Sequence, residues 1–414
     1  MAPMDAWLYA QHSSGAACTT VTGVAWFEGP APALSDLRAR ALERLQPLGR
    51  LRSIPYVPAG PTSPGPWPHW RESQRLAVDH HVVARSALEP SEFNATISHL
   101  ATAPFDPEYP PWQLYLLPTA EGFALVLRAH HALFDGLSAM SVMYALLDPP
   151  PDQQTSNENQ SAQPPPSYGR KAAWALDALA PKGRPLPWHR PLGSQRDIAF
   201  IQIPGDVLAS ARVPHAQATG RPKASNTAVL LAAITGALQG SGLIGRIGGP
   251  LGACAMVPVD VHTAGRPRQL GNFYSAVRLP LPNQTDSRLR IEALDERIRA
   301  MNIRGRARAS AEAVSAMPHR FTALSRAATR YVNSPWYYTF SATSLPTPAG
   351  AYSLGPARHT AAAGTQPLGP GHSMAFTMVH NSGGAIVSAI TDPDYIAAEP
   401  LAAAVAEQVR LLAD

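Results

Sequence analysis

One internal segment of the chain cannot be buried, and it therefore limits how the rest can fold. It runs from Asp148 to Tyr168 and reads DPPPDQQTSNENQSAQPPPSY. Prolines and polar side chains leave it almost no apolar surface to pack, which is typical of a linker. The sequence therefore predicts an N-terminal lobe at residues 1–147, a linker at 148–168 and a C-terminal lobe at 169–414.

The composition favours a folded protein with many separate elements. Apolar residues make up 45% of the 414 residues and charged residues only 15%, so a large core can form. The 43 prolines favour frequent loops over long helices. No basic segment followed by an apolar run opens the sequence, and its apolar stretches are too short to span a bilayer. We expect a cytoplasmic protein without a transmembrane segment.

The charge and the cysteines limit which partners are expected. A net charge of +5, thinly spread, is too weak to indicate nucleic-acid binding. It suits a ligand with phosphates, such as coenzyme A or a phosphopantetheine arm. Cys18 and Cys254 cannot build a disulfide framework or a structural zinc site. We therefore expect no nucleic-acid partner, no metal and no bound cofactor.

Apolar periodicity interleaves strands and helices in both lobes, which predicts a mixed α/β (α+β) fold. In the first lobe, residues 122–131 alternate like a strand, and a helix at 137–147 follows. In the second lobe, Asn226 is predicted to cap a buried helix that extends to Leu238. Other predicted helices lie at 34–45, 291–301 and 401–412, and two further strands contain Val379, Ile386 and Ile390.

Two histidines end the predicted strand, in the segment HHALFDG. Neighbouring side chains of a strand point to opposite faces, so His130 and His131 cannot converge on one metal ion. His131 is predicted to share its face with the leucines of the strand, and imidazole is suited to general-base catalysis near neutral pH. Asp135 and Gly136 follow at a turn, where glycine permits a tight path and the carboxylate can accept hydrogen bonds.

HHALFDG fits the His-His-x-x-x-Asp-Gly motif of the coenzyme A-dependent acyltransferase superfamily, which includes nonribosomal peptide condensation domains. The surrounding sequence resembles the bacterial wax ester synthase/diacylglycerol acyltransferase family most. The similar segments follow one another in the family's order across nearly the whole chain: PMDAW, PFDPEYPPWQLYLL, FALVLRAHHALFDGLSAM, MVPVDV, LGN and residues 374–412.

This resemblance implies two chloramphenicol-acetyltransferase-like lobes with an active-site tunnel at their interface. It implies direct transfer of an acyl group from a thioester, carried by coenzyme A or an acyl carrier protein, to an alcohol. His131 would be the base, His130 and Gly136 would support the motif, and Asp135 would hold its loop. Asn272 is the candidate for an oxyanion or substrate contact.

Four stretches depart from the family pattern near the expected lobe interface. Pro111-Trp112-Gln113 replaces leucine-tryptophan-glutamate, and Asn226-Thr227 replaces asparagine-aspartate. Residues 343–348 read TSLPTP instead of serine-asparagine-valine-proline-glycine-proline, and His262 stands where arginine is common. These departures favour a specialised acceptor, such as a natural-product hydroxyl. The alternative is synthesis of wax esters or triacylglycerols from long-chain acyl-coenzyme A.

Two other interpretations compete with the histidine base. Gly371-His372-Ser373-Met374-Ala375 imitates the elbow of a serine nucleophile, but a loop entering a strand is favoured there. The chain could instead be a non-catalytic module that docks a carrier protein. Arginines concentrated between 297 and 330 would serve such docking, although a run of this kind is more often a solvated face. His80-His81 has no Asp-Gly behind it and is assigned to packing.

Overall fold

The computed structural model describes residues 1–13, 19–59, 66–150, 174–177, 179–213, 220, 222–244, 252–262 and 269–414. Helices and strands interleave along these residues, which confirms the predicted mixed α/β (α+β) fold. Most of the linker predicted at 148–168 lies outside the described residues, so its boundaries stay a prediction.

The helices of the described residues include each one predicted above. They are α1 (Pro3–Ser13), α2 (Leu34–Leu45), α3 (Val78–His81), α4 (Phe93–Thr102), α5 (Gly136–Ala145), α6 (Gly205–Ser210), α7 (Asn226–Gly240), α8 (Ser287–Ala300), α9 (Ile303–Ser315), α10 (Ala323–Val332) and α11 (Ala398–Ala413). Two short 3-10 turns lie at Gly49–Arg52 and Pro90–Glu92.

In the described residues, the strands form two six-stranded sheets and one two-stranded pair. They are β1 (Thr20–Glu28), β2 (Ser53–Tyr56), β3 (His69–Glu72), β4 (Val82–Ala84), β5 (Trp112–Thr119), β6 (Gly122–His130), β7 (Asp197–Pro204), β8 (Cys254–Asp260), β9 (Tyr274–Pro280), β10 (Phe340–Pro346), β11 (Ser353–Leu354), β12 (Ala357–Thr365), β13 (Met374–Asn381) and β14 (Gly384–Thr391). The pair consists of β2 and β3.

The first sheet carries the histidine segment and has the strand order β11-β12-β1-β6-β5-β4. Its central strands β1, β6 and β5 are antiparallel, and Thr20 of β1 lies opposite His130 at the end of β6. The leucines of β6 face a core made with α2 and α5, whereas Ala124 and Val126 face the other sheet. The histidines at the end of β6 therefore lie between two apolar layers, one packed on each face of the strand.

The second sheet has the order β7-β14-β13-β10-β8-β9, with β10 parallel to both neighbours. Helix α7 lies against this sheet, and its residues from Ala228 to Leu238 are buried. The predicted cap of α7 is wrong by one residue. Ser225 precedes the helix in an extended conformation, and its Oγ accepts from the amide of Ala228 at 3.1 Å, while Asn226 is already helical.

Strand β12 ties the two sheets together, although it comes from the C-terminal half of the chain. It pairs antiparallel with β1 in the first sheet, with Thr22 opposite Thr365. Its Ala362 exchanges two hydrogen bonds with the side-chain amide of Asn381 in the second sheet, at 2.8 and 3.0 Å. The first sheet therefore takes strands from both halves of the sequence, whereas the strands of the second sheet all lie between residues 197 and 391.

Among the helices in the described ranges, none is both long enough and apolar enough to cross a membrane.

Candidate active site

His131 lies one residue beyond β6, half-buried, where the two lobes meet. Its amide donates to the carbonyl of Thr19 at 2.7 Å, which fixes the backbone as it leaves the sheet. Its Nδ1 lies 3.0 Å from Oδ1 of Asn272, a residue of the other lobe. A carbonyl oxygen can only accept, so Nδ1 carries the proton. Nε2 then keeps its lone pair and can take a proton from another group.

Both polar atoms of the Asn272 side chain, Oδ1 and Nδ2, have hydrogen-bond partners that fix its orientation. Besides the contact with His131, its Nδ2 donates to Oδ1 of Asp5 at 2.9 Å and to the carbonyl of His131 at 2.8 Å. The carbonyl of Ala132 lies 3.3 Å from the same nitrogen. Two amide hydrogens facing three acceptors leave no donor for an oxyanion. The geometry gives Asn272 an orienting contact with His131.

His130 is enclosed and has a different set of contacts. It is 3% exposed, its Nδ1 accepts from the amide of Ala132 at 3.0 Å, and its Nε2 lies 3.0 Å from Oγ1 of Thr19. Burial, and then the nearby His12, hold the pKa of His130 well below its ordinary value. Both ring nitrogens have partners, so the geometry suits His130 to support of the motif and not to proton transfer.

Asp135 joins the histidine loop to the other lobe. It caps α5, and its Oδ1 accepts from the amide of Ser138 at 2.8 Å. Its Oδ2 accepts from the amide of Phe273 at 2.9 Å, and its own amide donates to the carbonyl of Gly271 at 3.0 Å. Since Phe273 follows Asn272, these contacts also place the asparagine beside His131.

Gly136 is the first residue of α5 and lies close to the second sheet. A Cβ atom at this position would come within 3.2 Å of Cδ1 of Leu345. Glycine therefore lets the start of α5 approach the end of β10 closely. This contact places the TSLPTP segment, to which Leu345 belongs, next to the histidine motif.

Two residues that sequence reasoning did not select complete the site. Asp5 of α1 is 5% exposed and forms an ion pair with Arg50 at 2.6 Å. Arg50 also donates to the carbonyls of Ala132 at 2.9 Å and Leu133 at 2.6 Å, inside HHALFDG. The available signal was PMDAW, the family-like opening that contains Asp5; no local pattern marked Arg50.

The surroundings of His131 lower its pKa. Burial is the largest influence, and the hydrogen bond to Asn272 and the negative charges of Asp135 and Asp5 partly oppose it. Tyr274 lies with its ring 5.4 Å from the ring of His131, and burial raises the pKa of its phenol. His131 is therefore neutral at pH 7, the form that a base requires.

Ser373 does not have the surroundings of a nucleophile. It is fully buried, and its Oγ donates to the carbonyl of Trp188 at 2.6 Å. Its own carbonyl accepts from the amide of Asp392. The residue enters β13 from a loop and no helix follows, so the strand-elbow-helix geometry of a serine nucleophile is missing here.

His80 and His81 pack as expected. The ring of His81 stacks on Trp112 at 4.3 Å, and its Nδ1 lies 2.8 Å from the carbonyl of that residue. His80 stacks on Tyr109 at 3.8 Å. Burial lowers the pKa of His81 to about 4, as expected for a neutral core histidine.

The arginines between 297 and 330 divide into two groups. Arg297 donates to the carbonyl of Pro280, Arg299 pairs with Asp295 and Arg306 pairs with Asp177. Others lie at least partly exposed on α9, α10 and the segment between them: Arg304, Arg308, Arg320, Arg326 and Arg330. The contacts of Arg297, Arg299 and Arg306 stabilise the fold, and Arg304, Arg320 and Arg330 are the exposed cations of this stretch.

Two of the departures from the family pattern meet in a second polar cluster. Oγ of Ser344, in β10, lies 2.7 Å from Nε2 of His380 in β13. Nδ1 of His380 lies 3.3 Å from the side-chain amide of Asn226, the first residue of α7. The next residue of β10, Leu345, is the one that approaches Gly136. His262 makes a separate contact, with its Nδ1 2.6 Å from Asp260.

Part of the chain is similar in sequence to known acyltransferases. The model of the wax ester synthase/diacylglycerol acyltransferase catalytic domain matches residues 1–198. The Mycobacterium tuberculosis H37Rv protein named "Putative diacyglycerol O-acyltransferase Rv3087" is 30% identical over 141 residues. That match covers 33% of this chain and 29% of the relative, so the chain matches under a third of the curated protein's length.

Solved structures resemble the chain over nearly its whole length. The wax ester synthase/diacylglycerol acyltransferase from Marinobacter aquaeolei VT8 aligns with a TM-score of 0.66 and 13% identity, covering 95% of this chain and 94% of that one. The first condensation domain of the calcium-dependent antibiotic synthetase aligns with a TM-score of 0.64 and 14% identity, covering 99% and 94%. These matches confirm the two chloramphenicol-acetyltransferase-like lobes.

The sequence match and the structural match point to similar proteins. The sequence match lies in the part of the chain that contains HHALFDG, and the structural match extends through both sheets. Residues 1–198 are therefore similar to the catalytic domain of the wax ester synthase/diacylglycerol acyltransferase family, and the described chain shares the fold of its solved relatives.

Proposed function

We propose that this chain is an O-acyltransferase that moves an acyl group from a thioester directly to a hydroxyl, with His131 as the general base. One observation carries the proposal: Nδ1 of His131 donates to Asn272, which leaves the lone pair of Nε2 available. The lowered pKa of His131 keeps this imidazole neutral at physiological pH. A base positioned in this way typically contributes roughly a hundredfold to ten-thousandfold in rate.

The proposed reaction proceeds without an acyl-enzyme. Nε2 of His131 takes the proton of the acceptor hydroxyl while its oxygen attacks the thioester carbonyl. The tetrahedral intermediate then collapses, the carbon–sulfur bond breaks, and the imidazolium returns the proton to the departing thiol. The products are an ester and a free thiol. Both substrates must be bound together, which makes the step effectively unimolecular.

We assign Asn272 to holding His131 in the productive tautomer, in place of the oxyanion contact that the sequence suggested. Its two amide hydrogens already face Asp5 and two backbone carbonyls, so a developing oxyanion would find no free donor there. Asp135 supports the same arrangement by binding the amide of Phe273.

The proposed donor is an acyl thioester on a phosphopantetheine arm, either coenzyme A or an acyl carrier protein. Arg304, Arg320 and Arg330 are exposed cations that could attract its phosphates. Attraction by exposed charges is screened over about 10 Å at roughly 0.1 M salt. The apparent KM for the donor should therefore rise with salt while kcat changes little. A KM independent of salt would remove the arginines from donor capture and leave the base mechanism untouched.

The proposed acceptor is a specialised hydroxyl compound, such as a natural-product alcohol. The departures from the family pattern support this choice, and two of them meet in the cluster of Ser344, His380 and Asn226. Ester formation on long-chain alcohols or diacylglycerol is the competing acceptor class.

The experiment that tests the proposal measures thiol release and ester formation together. Acyl-coenzyme A and acyl carrier protein would be offered with polar alcohols, fatty alcohols and diacylglycerol, and products would be identified by mass spectrometry. Ester formation that depends on His131 supports the proposal. Binding of a carrier protein without ester formation for any acceptor would favour the docking module. A stable acyl-enzyme on the intact protein would disprove direct transfer.

A further inference from the structure

A buried ion pair lies directly behind the contact between Asn272 and His131. Oδ1 of Asp5 accepts from Nδ2 of Asn272 at 2.9 Å, and Oδ2 of Asp5 accepts from Arg50 at 2.6 Å. Nε1 of Trp70 lies 3.4 Å from the same Oδ2. These contacts join α1, the turn at Gly49–Arg52, strand β3 and the loop before β9. A carboxylate enclosed to this degree is costly unless each contact is satisfied.

The contact with Asp5, together with the backbone carbonyls of His131 and Ala132, determines which end of the Asn272 amide faces His131. An amide has one donor end and one acceptor end, and a carboxylate accepts only from the donor end. With Nδ2 held by Asp5, Oδ1 must point the other way, toward Nδ1 of His131. The orientation of the Asn272 amide, which Asp5 helps to fix, therefore determines which ring nitrogen of His131 carries the proton.

Arg50 balances this carboxylate and fixes the loop at the same time. Its guanidinium stacks over Trp70 at 4.3 Å and donates to the carbonyls of Ala132 and Leu133. The carbonyl of Ala132 is also near Nδ2 of Asn272. The backbone that follows His131 is thus bound from both sides by one connected set of polar groups.

We propose that Asp5 and Arg50 are positioning residues that set the tautomer and the proton affinity of His131 through Asn272. The inference rests on the proposed base function of His131. Asp5 holds the amide so that Nε2 stays unprotonated, and its negative charge favours the imidazolium that forms during transfer. Arg50 limits that charge, so that the imidazole does not hold its proton too strongly.

Asp5 and Arg50 carry opposite charges, so neutralising each of them should shift the pH dependence of kcat/KM in opposite directions. The charged or titratable groups around His131 are Asp135, Tyr274, His130 and the pair under test. Asp5→Asn removes a negative charge, so the acid limb of kcat/KM should move to lower pH. Arg50→Gln removes a positive charge, so the same limb should move to higher pH. If the acid limb does not shift in either variant, or shifts in the same direction in both, Asp5 and Arg50 have only a structural role.

Asp5→Ala tests the hydrogen bond apart from the charge. Outer partners that orient a histidine typically contribute roughly 10- to 100-fold. We expect kcat to fall by about that factor while KM for the donor changes little, and Asp5→Asn to recover part of the loss. The matched control is Asp148→Asn, since Asp148 pairs with Arg40 and Arg44 elsewhere in the fold. A kcat loss in the control equal to that in Asp5→Ala would contradict positioning.

A spectroscopic measurement keeps this test independent of the proposed function. Long-range proton–nitrogen spectra of histidine-labelled protein report which ring nitrogen is protonated, and His131→Gln assigns the signal. We expect Nδ1–H in the wild type and in Asp5→Asn, and loss of this preference in Asp5→Ala. An unchanged Nδ1–H signal in Asp5→Ala would overturn the relay even if the protein transfers acyl groups. The expected signals together with no acyl transfer would instead contradict only the proposed function.

Discussion

Nδ1 of His131 lies 3.0 Å from Oδ1 of Asn272, a residue 141 positions further along the chain. The imidazole comes from the end of β6, and the amide comes from the loop before β9 in the other sheet. The candidate base is therefore assembled from both lobes. A shift between them of about 1 Å would break the contact, and misplacement on this scale can cost roughly a hundredfold in rate.

The two histidines of the motif should respond differently to substitution. His131→Ala should lower turnover by roughly a hundredfold to ten-thousandfold, because it removes the base, with the melting temperature close to that of the wild type. His130→Ala should mainly lower stability, by about 1–3 kcal/mol, since it leaves the buried amide of Ala132 without its partner. Steady-state kinetics and thermal melts separate these effects.

His99→Ala is the matched control for this pair, because His99 is exposed on α4. It should match the wild type in both measurements. Full turnover in His131→Ala, or a greater loss of turnover in His130→Ala than in His131→Ala, would contradict the assignment of the base.

Asp135→Asn should damage the fold more than the chemical step. Its carboxylate accepts from two backbone amides, of Ser138 and Phe273, and an asparagine can accept from only one of them through its oxygen. An unsatisfied buried amide costs about 1–3 kcal/mol. We expect the melting temperature to fall by several degrees, with turnover of the folded protein reduced less than in His131→Ala. Wild-type stability combined with lost turnover would make Asp135 a participant in catalysis.

Ser373→Ala should keep full turnover. The hydroxyl is buried and donates to the carbonyl of Trp188, so its removal should cost stability of about 1 kcal/mol and no chemistry. Kinetics on the variant, together with intact-mass analysis after incubation with the acyl donor, test this expectation. An inactive but folded variant, or an acyl group located on Ser373, would restore the serine mechanism.

Buried histidines should make the protein sensitive to mild acid. Burial lowers the pKa of His81, His359, His372 and His380 to about 4. In the unfolded chain these side chains take up protons near pH 6.5, while in the folded chain they stay neutral until about pH 4. The unfolded state binds more protons in between, so stability falls as the pH drops from 6.5 to 4.

Thermal melts between pH 7.5 and 4.5 test whether stability falls as the pH drops. The melting temperature should fall steadily below pH 6.5, and His359→Phe, which keeps a ring beside Phe27 and Tyr144, should make the fall shallower. A melting temperature that does not change across this range would contradict the expectation.

Local patterns predicted the elements well, because each depends on neighbours in sequence. The strand at 122–131 and the helix after Gly136 both appear, as β6 and α5. The cap of α7 was misplaced because Ser225 and Asn226 are both good capping residues, and only backbone conformation decides between them. Which strands pair in a sheet depends on tertiary contacts, and no local pattern placed β12 beside β1.

The candidate site was predictable only in part, for the same reason. His131 and Asp135 lie in one short motif, so their spacing could be read directly. Asp5 and Arg50 meet across 45 positions, and Asp5 and Asn272 meet across 267. Asn272 was selected through the family-like LGN segment, and its contacts with His131 and Asp5 could not be read from the sequence.

The pairing of β12 with β1 has a consequence for any attempt to produce the histidine-bearing half alone. A fragment that ends at residue 198 would contain β1 without β11 and β12, so the backbone groups of β1 along one side would have no partner. An uncovered edge of nine largely buried residues is a template for other chains. Such a fragment should self-associate, and a peptide covering residues 351–366 should bind it in trans and suppress that association.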